Sequence, residues 1–68
     1  MAGYKMRYKV QNLETGRIAT VEAQSHAGAK RIYIATKYPD KGTRLRVWPD
    51  ERDADEHGII AERKDMRV

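Results

Sequence analysis

The sequence contains no cysteine and no phenylalanine, and only two of its 68 residues are proline. Without cysteine there is neither a disulfide to crosslink the fold nor a thiolate to bind a metal, and a reducing, intracellular setting is compatible with this composition. The apolar runs are only a few residues long, and the first residues show no basic segment followed by an apolar one. The sequence therefore predicts neither secretion nor a membrane span.

The length allows one domain, residues 1–68, built around one small core. Its formal net charge of +4 is unevenly distributed. Residues 1–48 contain ten lysines and arginines against three acidic residues, whereas residues 49–57 contain five carboxylates against one arginine. A basic body with one acidic segment could bind nucleic acid with one side and a basic protein groove with the other.

Two alternating segments predict an N-terminal hairpin. Residues 4–10 place Tyr4 and three further apolar side chains on one side and lysine or arginine on the other, as in a half-buried strand. Residues 12–16 have turn chemistry, and residues 17–23 form the returning strand. In that strand the small and branched residues at odd positions are expected to face the core: Ala19, Val21 and Ala23.

A helix is predicted over residues 26–38, with Ser25 as its N-cap and Pro39 following its end. Its expected core face has helical spacing and consists of Ala29, Ile32 and Thr36, flanked by Gly28, Tyr33 and Ala35. The opposite side carries a small apolar island of Ala27, Ile34 and Tyr38. Such an island is either ordinary surface apolar area or a contact for a partner.

A third strand is predicted over residues 43–48, with Leu45 and Val47 facing inward, and it ends at Pro49. Residues 50–58 are too charged to be buried and are expected to form a loop, followed by a short fourth strand over residues 58–61. The expected fold class is α+β, a small antiparallel sheet with ββαβ order, a fourth strand and one helix packed on one face. Crossover geometry predicts the strand order 2-1-3, with the other sheet face open.

The residues do not predict an enzyme or a cofactor. The only histidines, His26 and His57, lie in different segments, and Ser25 beside His26 is explained by helix capping. The glycines are scattered singly, so no phosphate-binding loop is present. The possible oxygen and nitrogen ligands of the acidic region match no EF-hand or zinc spacing: Asp53, Asp55, Glu56 and His57.

One candidate binding surface is basic. The outward side chains of the first and third predicted strands form what we call the basic face: Lys5, Arg7, Lys9, Arg44, Arg46 and Trp48. Cations beside an aromatic ring are what a platform for single-stranded nucleic acid requires. The simpler explanation is an ordinary solvated sheet face with Trp48 folded over an edge, and the aromatic-rich strands of the RNA recognition motif are absent.

The other candidate surface is what we call the acidic segment: Asp50, Glu51, Asp53, Asp55 and Glu56. Five carboxylates in a projecting loop would have the charge density of a few nucleotides and could occupy a lysine- and arginine-lined groove that normally binds DNA. An acidic loop also keeps a basic protein soluble, and the residues alone favour that simpler role.

Four short blocks give the sequence a resemblance to a known family. They are KVQN at residues 9–12, VEAQS at 21–25, AKRI at 29–32 and GTRLRV at 42–47. In this order they resemble small phage-encoded anti-CRISPR proteins, most of all those that inhibit type I Cascade, the multisubunit RNA-guided surveillance complex. The likeness covers residues 9–47 and does not extend beyond Trp48. It implies a phage or mobile-element protein that acts in the bacterial cytoplasm by binding a Cas subunit.

The sequence and this resemblance together predict a monomeric, non-enzymatic inhibitor that binds Cascade and blocks its engagement of target DNA. The acidic segment is the expected DNA mimic, and Ile34 and Tyr38 are the expected apolar anchors. Obstruction by the basic face is an alternative mechanism. The alternative functions are a small nucleic-acid-binding or regulatory module that uses the basic face, and a phage structural or accessory protein that docks through its helix.

Overall fold

The computed structural model describes residues 5–68, which form a four-stranded antiparallel sheet with two helices. The elements are β1 (Met6–Asn12), β2 (Ile18–Ala23), α1 (His26–Lys37), β3 (Arg44–Pro49), α2 (Glu51–Glu56) and β4 (Lys64–Arg67). The strand order is β2-β1-β3-β4, and every neighbouring pair is antiparallel. The predicted α+β class and the 2-1-3 order are therefore confirmed. The position predicted for Tyr4 lies outside the described residues.

The hairpin of β1 and β2 closes through a turn that contains Gly16. The Asn12 amide donates to the Arg17 carbonyl at 2.9 Å, and the Gly16 amide donates to the Asn12 carbonyl at 2.7 Å. Gly16 has a φ of 81°, which glycine adopts without steric cost. β1 continues two residues beyond the predicted end because Asn12 also pairs with Leu45 of β3.

The core lies between α1 and one face of the sheet. Val10, Leu45 and Val47 are fully buried there, and α1 contributes Ala29 and Tyr33. These two helical residues are four apart, so they lie one above the other on the same side of α1. Tyr33, which the sequence predicts only to flank the core face, thus lies at the position on that face predicted for Ile32.

The predicted core face of α1 is wrong at two positions. Ile32 is 39% exposed, and Thr36 is also exposed. The cause is a rotation of the helix that centres Ala29 and Tyr33 over the sheet. Ile32 consequently lies at the side of the helix, next to β2.

Ser25 caps the N-terminus of α1 as the sequence predicts, and the helix ends before Pro39. The Ser25 hydroxyl accepts a hydrogen bond from the Gly28 amide at 3.0 Å, which satisfies one donor of the first turn. At the other end the Tyr38 amide donates to the Ile34 carbonyl at 3.0 Å. Tyr38 adopts a left-handed conformation with a φ of 49°, so the helix ends there, and the residue is 83% exposed.

The predicted loop over residues 50–58 is wrong, because Glu51–Glu56 forms α2. Asp50 is its N-cap, and the carboxylate accepts from the amides of Arg52 and Asp53 at 3.0 and 3.3 Å. Ala54 is buried on the inner side of the helix, with only 1% of its surface exposed. Capping and one small buried side chain therefore fold a highly charged segment that has almost no apolar content.

The predicted fourth strand over residues 58–61 is also wrong. Ile60 is 84% exposed, and the strand beside β3 is instead Lys64–Arg67, in which Met66 pairs with Leu45. The Val68 amide donates to the Thr43 carbonyl at 3.0 Å and extends this pairing. Half-buried Met66 and Val68 pack against the core, which explains why the last residues form the strand rather than the more apolar Gly58–Ala61 run.

No helix within residues 5–68 is long and apolar enough to cross a membrane.

Candidate macromolecular interface

The acidic helix α2 is attached to the outer face of the sheet, the face opposite α1, by Asp53. Its carboxylate accepts three hydrogen bonds from Arg7 of β1: from the guanidinium Nη2 at 2.6 Å, from Nε at 3.0 Å and from the backbone amide at 2.9 Å. The Asp53 side chain is only 14% exposed. A bidentate pair with an additional backbone bond fixes the orientation of α2 on β1.

These hydrogen bonds lower the pKa of the Asp53 carboxyl from its ordinary value of 3.8 to about 2, because they favour its charged form. The Arg7 guanidinium correspondingly has a raised pKa. Since the carboxyl binds protons less readily in the folded state, its contribution to stability is complete above pH 3.8 and is lost as the pH falls toward 2.

Stability is therefore expected to fall between pH 4 and pH 2 more steeply in the native protein than in an Asp53→Asn variant. Urea unfolding at pH 4 and pH 2 measures the difference, and Asp40→Asn, at an exposed aspartate outside α2, is the matched control. The carboxyl carbon of Asp53, followed by NMR, should titrate near pH 2. Titration at its ordinary value would contradict the Arg7–Asp53 geometry.

Asp50 is the second carboxylate of the acidic segment with an internal role. It caps α2, and its Oδ2 lies 3.8 Å from the Lys9 ammonium nitrogen. Its side chain is 19% exposed. Asp50 and Asp53 therefore build and attach the helix, and neither is free to act as a mimic of phosphate.

The other three carboxylates of the acidic segment, Glu51, Asp55 and Glu56, are exposed. Within residues 5–68 none of them forms an ion pair. Glu51 and Asp55 are four residues apart and so lie on one side of α2. Both line a shallow groove whose other wall is the outer face of the sheet, and Arg52 lies at the same groove.

Three of the five cations of the basic face are neutralised within the chain by close pairs. Besides Arg7, Arg44 donates to Glu14 at 3.1 Å, and Arg46 forms a bidentate pair with Asp65 at 2.7 and 3.1 Å. These arginines hold the pKa of Glu14 and of Asp65 below its usual range. Lys9 has the longer contact with Asp50 and also donates to the Thr20 hydroxyl, so Lys5 is the member with no ion pair among residues 5–68.

Trp48 lies on the outer face, as the alternation predicts, but it is covered. Only 8% of the residue is exposed, and the guanidinium carbon of Arg63 lies 4.4 Å from the ring centroid. An arginine over an indole face is a cation–π contact. Arg63 of the same chain thus covers the Trp48 ring, which is not available as a free platform for stacking bases.

The two proposed apolar anchors lie in different environments. Ile34 is half-buried and lines a groove between α1 and β4, together with Met66 and the basic residues Lys30 and Arg31. Tyr38 extends into solvent beyond the helix end. The structure therefore does not join the two side chains into one apolar patch.

His26 makes contacts within the fold. His26 Nε2 lies 2.7 Å from the Glu62 carbonyl oxygen, and its ring meets the Tyr8 ring edge to face at a centroid distance of 5.4 Å. Burial raises the pKa of the Tyr8 hydroxyl. Among residues 5–68 no group of three or more histidine, aspartate or glutamate side chains is arranged to hold a metal ion.

Three residues important for this surface were missed from the sequence: Glu14, Arg63 and Asp65. Each acts on a residue at least 15 positions away in the chain, on Arg44, Trp48 and Arg46 respectively, as the hydrogen bonds and the ring contact show. Asp65 had a usable signal, because charged Asp65 and Arg67 flank apolar Met66 in the alternating pattern of a strand. Nothing in the sequence identified the other two.

The fold and these surfaces define a small α+β protein in which an acidic helix lies against a basic sheet face. No protein-family model, no curated protein and no solved structure matches the chain.

Proposed function

We propose that this protein acts by binding, and that it inhibits a type I Cascade surveillance complex in the bacterial cytoplasm by presenting α2 to a basic surface that engages target DNA. The observation that carries the proposal is that the carboxylates of the acidic segment have two different roles. Two carboxylates hold the helix in place, whereas Glu51, Asp55 and Glu56 remain exposed and without an ion pair among residues 5–68. The choice of Cascade rests on the resemblance of residues 9–47 to anti-CRISPR proteins.

The spacing of the exposed carboxylates supports a mimic of a nucleic-acid strand. Glu51 and Asp55 lie one turn apart on one side of α2, and at about 1.5 Å of rise per residue they are about 6 Å apart along the helix axis. One strand of B-DNA carries a phosphate about every 3.4 Å along its axis, so this separation is close to the two steps of about 7 Å between the first and third of three phosphates. Glu56 is five residues from Glu51 and therefore lies on a different side of the helix. Arg52 lies at the groove with Glu51 and Asp55 and one turn from Glu56, so it reduces the net negative charge that these three carboxylates present.

Rigidity also favours α2 as the contact. The Arg7–Asp53 hydrogen bonds and the Asp50 cap fix the helix before any partner binds. A preorganised set of charges loses less conformational entropy on binding than a loop would. A basic groove would therefore meet a fixed set of carboxylates, with fast and salt-sensitive association.

The test is binding to purified type I Cascade carrying its guide RNA. A triple variant, Glu51→Gln with Asp55→Asn and Glu56→Gln, is expected to bind at least about tenfold more weakly and with a smaller salt dependence. The matched control removes three exposed charges outside α2: Glu22→Gln, Asp40→Asn and Glu62→Gln. The control variant should bind as the native protein does. Target DNA should compete with the native protein and with the control variant for Cascade.

Two results would contradict the proposal. Unchanged binding by the α2 variant would remove the mimic, and equal losses in both variants would assign the effect to net charge alone. Tight binding of the isolated protein to DNA or RNA in a gel shift would favour the nucleic-acid-binding module instead. The internal pairing of Arg7, Arg44 and Arg46 and the covered Trp48 argue against that outcome.

A further inference from the structure

The two edges of the sheet are protected to different degrees. β4 forms one edge and carries Lys64, Asp65 and Arg67 within four residues. Charged residues of this kind are the usual protection of an edge against pairing with another strand. β2 forms the other edge, contains no lysine or proline, and exposes 54% of Ile18.

The backbone groups that point outward from β2 follow from the hairpin geometry. The Asn12 amide bonds to the Arg17 carbonyl, so Arg17 belongs to a hydrogen-bonded pair. Hydrogen-bonded and non-hydrogen-bonded pairs alternate along an antiparallel ladder. The odd-numbered residues of β2 therefore bond to β1, and the N–H and C=O groups of Ile18, Thr20 and Glu22 face the open edge.

A partly apolar groove runs beside the same edge. Ile18, Ala19 and Val21 of β2 form one wall, Ile32 and Thr36 of α1 form the other, and Thr20, Glu22 and Lys37 also line it. Ile32 is the helical residue that the sequence assigned to the core and that the fold leaves 39% exposed. An additional strand at this edge would cover Ile32 and the half-buried Val21 together.

We propose that β2 pairs antiparallel with β2 of a second copy of this chain. The twofold axis of this dimer passes between the two Thr20 residues. Thr20 would then face Thr20 of the second copy, and Ile18 would face Glu22 of the second copy. In this register every outward N–H and C=O of these residues has a partner. Two copies of one strand meet this condition automatically, because a twofold interface is self-complementary.

Charge supports this occupant. Glu22 pairs with Arg7 on the β1 side of its own chain. In the dimer, Ile18 of the other copy would lie on its other side. Arg17 would lie opposite Ala23 of the other copy. No like charges therefore face each other across the seam, whereas like charges directly opposite would destabilise the pairing. The proposed dimer differs from the monomer predicted from the sequence, and it leaves α2 on the outer face free to bind.

The test uses the direction of one amide. Thr20→Pro removes an N–H that points to the open edge and leaves the hydrogen bonds between β1 and β2 intact, since those involve the odd-numbered residues. Thr20→Val is the matched control, because it loses the same hydroxyl contact with Lys9 and keeps the amide. Analytical ultracentrifugation should show a concentration-dependent dimer for the native protein and Thr20→Val, and at least about tenfold weaker association for Thr20→Pro.

A second variant and a second measurement guard against a fold defect in Thr20→Pro. Thr20→Lys places two ammonium groups opposite each other across the twofold axis, so its dimer should also be weaker, and more so at low salt. Amide exchange in the native protein should slow with increasing concentration at Ile18, Thr20 and Glu22 but not at Ala19 or Val21. A native protein that stays monomeric at millimolar concentration, or a dimer that both variants leave intact, would overturn the proposal.

Discussion

Replacing Leu45 with alanine is expected to leave most of the protein unfolded at 25 °C. Leu45 is fully buried and is among the largest completely enclosed side chains of residues 5–68. A leucine-to-alanine change at such a site costs about 2–5 kcal/mol, because the lost burial adds to the cavity that remains. A core of this size rarely supplies more than about 3–5 kcal/mol. One substitution can therefore consume the whole stability of the fold.

Circular dichroism and urea unfolding measure this effect. Ile60→Ala is the matched control, because it removes a comparable aliphatic side chain that is 84% exposed. Its free energy of unfolding should stay within about 0.5 kcal/mol of the native value. A Leu45→Ala variant as stable as Ile60→Ala would mean that β3 does not lie at the centre of the core.

Replacing Trp48 with alanine is expected to destabilise the protein nearly as strongly, by about 3 kcal/mol or more. Trp48 is 8% exposed although it lies on the sheet face opposite α1, where the sequence predicts a solvated side chain. Its removal would withdraw the surface on which the Arg63 guanidinium rests and would open the floor of the groove beside α2. Far-UV circular dichroism during urea unfolding gives the loss.

Trp48→Phe is the graded control for this prediction, because it keeps an aromatic ring under Arg63 and should cost less than alanine. A double-mutant cycle of Trp48→Phe with Arg63→Ala separates the cation–π contact from burial. The expected coupling is a fraction of the roughly 0.5–1 kcal/mol of an exposed pair. If Trp48→Ala were harmless, the ring would be as available for base stacking as the sequence alone suggests.

The acidic segment shows where sequence interpretation stopped short. Its high charge predicts a loop. The sequence also contains a helix signal: Asp50 follows Pro49 and precedes Asp53 by three residues, as in a capping arrangement. A single buried Ala54 and the bonds from Arg7 were enough to make a helix, and neither contact has a local signature.

The binding surface depended even more on distant contacts. Alternation correctly placed Arg44, Arg46 and Trp48 on the outer face, since side chains alternate along a strand. It did not reveal that Glu14, Asp65 and Arg63 would each take one of them. Those partners come from other segments, so their pairing depends on the register of three strands.

The sequence by itself determined the local elements: the hairpin, the capped helix, the third strand and their order in the sheet. Period-two alternation, an N-cap and a proline act over a few residues and are visible without a fold. Tertiary structure alone decided which charges remain available. It attached Asp53 to Arg7, covered Trp48 with Arg63 and rotated Ile32 out of the core, because each outcome depends on atoms that only folding brings together.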